Sequence, residues 1–344
     1  MPQTTDYIVL RQYSDGRPVV LDDFEVSSMP IPEPPPGSVL VQTLVLSVDP
    51  ALRGSMSGRG DFYNPQFSLG EPVHSRGVGR VVTSRHPDFA QGDLVKGRFA
   101  WSRYSVATPR QDFAAGTALV HAKPDDVKLS YHLGVIGNTG QTAFFGMLAV
   151  AHVRPGDSVL VSGAAGGVGS VAGQIARIMG ATHVVGLAGT DRKCKVLTDE
   201  LGFDAAVNYR GPDIEERLIA ALPGGPSIYF DNVGGQLSQR VMGLMPVGGK
   251  VVECGQISTH DEPGGGWQVD IRPVHRRGLR FQGFTRSQFA EFLPAANAQL
   301  AHWLRTGAVK ALETERHGLE ALPETFLGML SGENIGKTTV TIAE

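Results

Sequence analysis

Cysteine is nearly absent: there are two in 344 residues, Cys194 and Cys254, with no ligand spacing and no paired framework. That excludes a disulfide-stapled scaffold and suits a reducing cytoplasm, where the chain is expected to work. Surplus charge of one sign is absent too, the formal net charge being −3. Without a clustered basic surface there is no electrostatic case for a nucleic acid or an anionic membrane as partner. The short basic runs at residues 76–85 and 275–277 read as solvated faces. A membrane span is also missing. Residues 158–176 are uncharged and long enough on paper, but they hold five glycines and read better as a buried strand, turn and helix. The first ten residues lack the basic, apolar and small-residue order of a signal peptide, so export is not expected. Neither a solenoid repeat nor a low-complexity linker is present.

What is abundant is glycine, 44 residues, with 22 prolines, 41% hydrophobic and 19% charged residues, the profile of a turn-rich packed α/β protein. At roughly 100 to 200 residues per domain, the length implies two domains. Short apolar runs at residues 38–47, 77–83 and 93–99, broken by Gly, Pro and Asp, describe a β-rich domain with tight turns, entered by a stiff loop at residues 30–37. From Gly134 onward, Val/Ile-rich runs at residues 158–162, 183–188, 205–208, 227–231, 249–254 and 279–284 alternate with amphipathic segments of helical length. That alternation predicts βαβ units on a doubly wound parallel sheet. A helix at residues 318–331 and a strand at residues 336–342 then return to the first domain. The expected division is residues 1–133 with 312–344, and residues 134–311.

Residues 159–169 read VLVSGAAGGVG, an apolar strand, a glycine turn and a helix opening. Gly163 and Gly166 permit the turn and the close approach of a pyrophosphate, Gly169 lets the helix pack, and the phosphates would sit on the helix N-terminus. An NAD site carries an acidic residue about twenty positions further on. Here that place falls at Gly189, followed by Thr190, Asp191, Arg192 and Lys193, a small residue, a hydroxyl and two cations that suit the 2′-phosphate of NADPH. Asp191 is open to two readings, a ribose ligand or the cap of a helix over residues 193–201.

Seven segments, SVDPALRGSMSG (47–58), GNTGQTAFFGML (137–148), VSGAAGGVGS (161–170), LGFDAAVNY (201–209), FDNVGG (230–235), CGQIS (254–258) and GENIGKTTV (332–340), resemble, in order, the zinc-independent prostaglandin reductase and alkenal (curcumin-type) double-bond reductase family of the medium-chain dehydrogenase/reductase superfamily. The resemblance implies a GroES-like β-rich catalytic domain plus a Rossmann domain, NADPH as cofactor and a homodimer. It assigns the pyrophosphate to Gly163, Ala164, Ala165, Gly166, Gly167 and Val168, and the 2′-phosphate to Lys193 with Tyr209 beside it. Asn232, Cys254, Gly255, Ile257, Ser258 and Phe284 would line the nicotinamide half, and Asn334 would reach the cofactor from the returning tail. Each also has a plain reading, Tyr209 as a strand end, Phe284 as core and Asn334 as a turn residue. Where the family pattern has tyrosine, this chain has His260, which either polarises the substrate oxygen or is a loop residue. Tyr63 falls in a segment that lines the pocket in relatives, and a packing role is as compatible with it. Trp101 and Tyr104 read as packing.

A catalytic zinc of the superfamily needs Cys, His and Glu ligands. No cysteine precedes Cys194, and the Gly-His-Glu place holds Gly70, Glu71, Pro72, Val73 and His74. No metal is therefore expected. Conjugate reduction needs only hydride at an electron-poor β-carbon and stabilisation of the resulting enolate, so the expected substrate is a small enone or enal. The alternatives are a quinone reductase of the same superfamily and a non-catalytic NADPH-binding sensor.

Overall fold

The computed structural model describes residues 3–60, 65–109, 118–123, 126–259 and 268–343. The chain divides into two compact units, Met1–Leu133 with Glu313–Asn334 and Thr338–Glu344, and Gly134–Leu312 with Ile335–Lys337. In chain order the first unit contributes β1 (Thr4–Leu10), β2 (Phe24–Pro30), β3 (Val39–Ser47), α1 (Leu52–Ser55), β4 (His74–Ser84), β5 (Leu94–Ala100), β6 (Tyr104–Ala107) and β7 (Val120–His121). The second unit follows with α2 (Asn138–Phe145), β8 (Ser158–Val161), α3 (Gly169–Ile178), β9 (His183–Ala188), α4 (Asp191–Asp199), β10 (Ala205–Asn208) and α5 (Ile214–Ala221). It continues through β11 (Ile228–Asp231), α6 (Gly235–Leu244), β12 (Lys250–Glu253), α7 (Arg272–Arg277), β13 (Arg280–Gly283) and α8 (Leu293–Arg305). The tail adds β14 (Glu313–His317), α9 (Leu322–Ser331) and β15 (Lys337–Thr341).

In the second unit six strands lie in the order β10-β9-β8-β11-β12-β13, every neighbouring pair parallel. The order reverses between β8 and β11, and such a switch leaves a crevice at the carboxyl ends of the strands. The inner strands are mostly apolar because helices cover both faces: β11 is buried at all four positions, the last of them Asp231. The core beneath them gathers Leu160, Val185, Leu187, Tyr229, Val241 and Val251.

The first unit is a seven-stranded, mainly antiparallel sheet in the order β14-β15-β3-β4-β5-β7, with β6 also pairing β3, beside the separate hairpin of β1 and β2. Trp101 is its largest buried side chain. Its ring stacks on Phe24 at 5.9 Å and its indole N–H donates to Ser75 Oγ at 3.0 Å. The β1–β2 hairpin and β14 go beyond the sequence expectations. One of those expectations needs correcting: the 76–85 run is not a solvated face throughout. Arg80 and Arg85 are exposed, but Arg76 is partly buried and its Nε is fully covered. The strand alternates sides, so residues of one run face different surroundings. The basic residues His275 and Arg276, at the end of α7, are exposed.

Candidate cofactor site along the edge of the parallel sheet

Between β8 and α3 the chain turns at Gly163, whose φ of +56° lies in the region glycine tolerates best. A Cβ on Gly169 would stand 2.4 Å from the Gly163 carbonyl oxygen, so this glycine closes the helix onto its own turn. The helix meets its neighbours instead at Gly173, where a Cβ would fall 2.0 Å from the Phe203 ring. Two of the turn's N–H groups are already used: Ala164 donates to Leu187 O at 3.0 Å and Gly166 to Gly163 O at 2.9 Å. Those of Ala165 and Val168 have no backbone acceptor among the described residues, and the N-cap of α3, Val168, supplies no side-chain acceptor. Unpaired donors at an uncapped helix start fit a pyrophosphate. The returning tail touches this turn, with Gly336 N–H donating to Ala165 O at 2.7 Å. Asn334 stands two residues before that contact.

One strand to the side, the ends of β9 and β10 bring Gly189, Thr190, Lys193 and Tyr209 together. A Cβ on Gly189 would meet Tyr209 Oη at 3.2 Å and Arg210 Nε at 3.3 Å. Arg210 also lies over the Tyr209 ring at 6.0 Å. Burial holds the Lys193 ammonium below the usual lysine range, and Arg210 and Arg192 push it down further. Three cations around one glycine favour a dianionic phosphate over a neutral ribose hydroxyl. The cap of α4 is Thr190, whose hydroxyl accepts from Lys193 N–H at 3.3 Å. Asp191 is therefore not the cap. It is the first helical residue, and its carboxylate accepts from Asn208 Nδ2 at 2.9 Å.

On the other side of the turn, Asp231 ends β11 completely buried and accepts from Ser162 Oγ at 2.8 Å, Tyr229 Oη at 2.8 Å, Val233 N–H at 2.9 Å, Gly234 N–H at 3.1 Å and the Ser238 hydroxyl. This network ties the first strand of the sheet to its neighbour across the switch point. Asn232 Nδ2 donates to Ser162 O at 2.7 Å, so its amide helps to hold the turn. Residues 254–258 are then fastened to residues 231–233: Cys254 N–H to Asp231 O at 2.8 Å, Ile257 N–H to Asn232 O at 3.4 Å, and Ser258 Oγ to Val233 O at 2.7 Å. Gly255 N–H shares the Asp231 carbonyl at 3.1 Å. The Cys254 thiol is pushed up by burial and by Glu253 and Asp231, so it remains protonated. Phe284 packs edge-on against Phe230 at 6.5 Å, and both rings close over Gly146, where a Cβ would come within 2.4 Å of Phe230.

The sheet order thus sets the candidate residues in a line: Tyr209, Gly189 and Lys193, the glycine turn, Asn232, residues 254–258, and Phe284. His260 and Tyr63 lie outside the described residues. Sequence reading passed over Arg210, Gly146 and Glu253. Arg210 had a visible signal, a cation directly after Tyr209. Glu253 ends β12 beside Asp231 in the parallel register. Its carboxylate oxygens are buried without a hydrogen bond of normal geometry. Burial and then Asp231 raise its pKa to about 7, against a partial offset from the Gln256 side chain.

Two family profiles match the chain, one described as an N-terminal domain of oxidoreductase over residues 7–114 and one as a zinc-binding dehydrogenase over residues 167–301. A 2-alkenal reductase (NADP(+)-dependent) of Nicotiana tabacum is 34% identical, covering 98% of this chain and 97% of its own. Prostaglandin reductase 1 of Mus musculus is 37% identical over 96% of this chain and 97% of its own. The crystal structure of CurA in complex with NADPH from Vibrio vulnificus superposes with a TM-score of 0.90 at 30% identity, covering 98% and 99% of the two chains. The chain belongs to the alkenal and prostaglandin reductase family of medium-chain dehydrogenases/reductases. Although one profile of this superfamily is named for zinc, no group of three or more His, Cys, Asp or Glu among the described residues is placed to hold a metal ion. Nor is any helix among them long and apolar enough to cross a membrane.

Proposed function

We propose that this protein reduces the carbon–carbon double bond of α,β-unsaturated ketones and aldehydes at the expense of NADPH. The observation that carries the reading is the agreement between full-length similarity to reductases of this family and a cationic cluster at the end of β9 and β10. When bound, the cofactor supplies hydride to the β-carbon, and a proton then reaches the α-carbon. The chain's own residues bind and orient. The N–H groups of Ala165 and Val168 receive the pyrophosphate, with Gly163, Ala164, Gly166 and Gly167 shaping the turn that lets it approach, while Lys193, Arg210 and Tyr209 hold the 2′-phosphate. Asn232 and residues 254–258, fixed by the Asp231 network, set the position of the nicotinamide half, with Phe284 behind it. Asn334 approaches from the tail. His260 or Tyr63 holds the substrate oxygen as negative charge develops there. A cytoplasmic homodimer is part of the same reading, supported by the cysteine usage and by the family resemblance respectively.

The test is NADPH consumption by wild type and His260→Ala on enones, enals and quinones, with product identification. Saturated ketones and aldehydes are expected, with a large fall in kcat in the variant. Turnover of quinones alone would replace this reading with quinone reduction. Tight NADPH binding with no turnover would remove catalysis from it. Sedimentation equilibrium checks the dimer.

A further inference from the structure

In the parallel register Asp231, Glu253 and Gly283 stand side by side on β11, β12 and β13. Asn232, Cys254 and Phe284, which open the three segments that would line the nicotinamide half, each follow one residue later. Glu253 therefore lies one row, about 3.3 Å along the strands, below that lining. Both its carboxyl oxygens are covered, and neither has a hydrogen bond of normal geometry. Asp231 beside it is completely buried and collects the Ser162, Tyr229 and Ser238 hydroxyls and the N–H groups of Val233 and Gly234. With donors aimed at one carboxyl and not at the other, a proton held by the pair rests on Glu253. Burial and then Asp231 keep that proton on up to a pH of about 7, against a smaller opposing pull from Gln256. The other titratable groups on the neighbouring elements are engaged or turned away. The Tyr229 hydroxyl donates to Asp231, the Cys254 thiol stays protonated, and Lys250, on the opposite face of the sheet, donates to Ala151 O at 2.6 Å. Arg240 of α6 is exposed, and Arg272 of α7 pairs with Asp270 at 2.7 Å.

A covered carboxyl without fixed donors responds to any charge that comes and goes nearby, because little water lies between to screen it. A nicotinamide ring is such a charge, neutral when reduced and cationic when oxidised. We infer that Glu253 couples a proton to the oxidation state of the nicotinamide, carrying the proton beside the neutral reduced ring and giving it up beside the cationic oxidised one. The proton leaves for water, and the carboxylate left behind offsets the new positive charge. Linkage makes the effect reciprocal: the oxidised cofactor loosens the proton by the same factor by which loss of the proton tightens the oxidised cofactor. This inference rests on the nicotinamide half lying at residues 232, 254–258 and 284, as in the proposed function, and holds whichever substrate is reduced.

The experiment measures the affinities of NADP+ and NADPH for the full-length protein, without substrate, at pH values on both sides of 7. Both cofactors carry the same 2′-phosphate, so its titration cancels in their ratio. The affinity for NADP+ relative to NADPH should rise roughly five-fold or more as pH increases through that value, and the ratio should be flat in Glu253→Gln. A carboxyl with a merely structural role would change both affinities together. A flat ratio in the wild type, or an equal rise in the variant, therefore overturns the inference. Infrared difference spectra of the wild type give a second readout that needs no variant. The carbonyl band of a protonated carboxyl should shrink when NADP+ replaces NADPH near pH 7, and an unchanged band overturns the coupling. Neither readout requires turnover, so a failure of the double-bond reductase reading would show in the enone assay and not here.

Discussion

Replacing Lys193 by alanine removes one cation from a cluster in which burial, and then Arg210 and Arg192, lower its pKa. A phosphate dianion relieves that repulsion, so Lys193 gains more from the 2′-phosphate than an isolated lysine would. The loss of a charge-assisted hydrogen bond costs about 1.5 to 3 kcal/mol, roughly a ten- to hundred-fold weakening. Fluorescence titration should show that fall for NADPH with Lys193→Ala, and a smaller effect of the same kind with Arg210→Ala, while NADH affinity changes little. An equal fall for both cofactors would place the lysine elsewhere than at the 2′-phosphate. Glu253 makes a prediction in pH. Its pKa rises from 4.5 to about 7 on folding, so the folded chain binds this proton more tightly than the unfolded chain. The contribution is fully present below 4.5 and is lost as pH rises through about 7. Thermal melts across that window should show Tm falling as pH rises, and Glu253→Gln, which keeps the shape without the charge, should flatten the slope. A slope unchanged in the variant would assign it to other groups.

Helix α3 depends on what is missing from its surface. A methyl on Gly173 would lie 2.0 Å from the Phe203 ring, and overpacking of this kind typically costs about 1 to 3 kcal/mol. Gly173→Ala should lower the unfolding free energy from denaturant titration by that amount, and adding Phe203→Leu should recover part of the loss, a coupling that distant sites do not show. Helix α4 rests on a cap, and Thr190→Ala should cost about 1 kcal/mol in the same measurement. These elements also show what a sequence discloses. The inner parallel strands were legible because burial on both faces writes them as short, largely apolar runs, and the glycine turn was legible because its strand and helix flank it. The position of most candidate site residues follows from this, since each stands where a legible strand ends. The cap of α4 stands at Thr190, one residue before the Asp191 that one reading made the cap, because both residue types cap helices and only the backbone decides between them. Strand β2, with one fully buried position among seven, carries no alternation strong enough to read. Strand β14, ETERH, is polar throughout and owes its conformation to its place in the sheet. Arg210 and Gly146 acquire meaning only through neighbours brought by strand and ring packing, which local pattern does not contain.

At the scale of the whole molecule, the chain leaves the first unit after Leu133, returns at Glu313, and lends Ile335–Lys337 to the second unit before ending in the first. Gly336 is the pivot of that passage. Its φ is +71°, its N–H is bonded to Ala165 in the glycine turn at 2.7 Å, and the next N–H, of Lys337, is bonded to Leu312 O at 2.8 Å. A Cβ at Gly336 would lie 1.9 Å from the Leu312 carbonyl oxygen, a clash with backbone that no side-chain rotation relieves. Gly336→Ala must therefore shift the tail, adding positive-φ strain of about 1 kcal/mol or more to the lost contact. Because residue 336 bonds to the turn that is to receive the pyrophosphate, and β15 just beyond it lies between β14 and β3, one substitution should act twice. Tm should fall, and NADPH affinity should fall beyond what the lost stability alone explains, since binding is measured where the variant remains folded. Calorimetry at a temperature well below the variant's Tm separates the two effects. A lower Tm with unchanged affinity would mean that the segment Ile335–Lys337 only supports the fold, whereas a loss of both would mean that this segment also sets the shape of the cofactor turn.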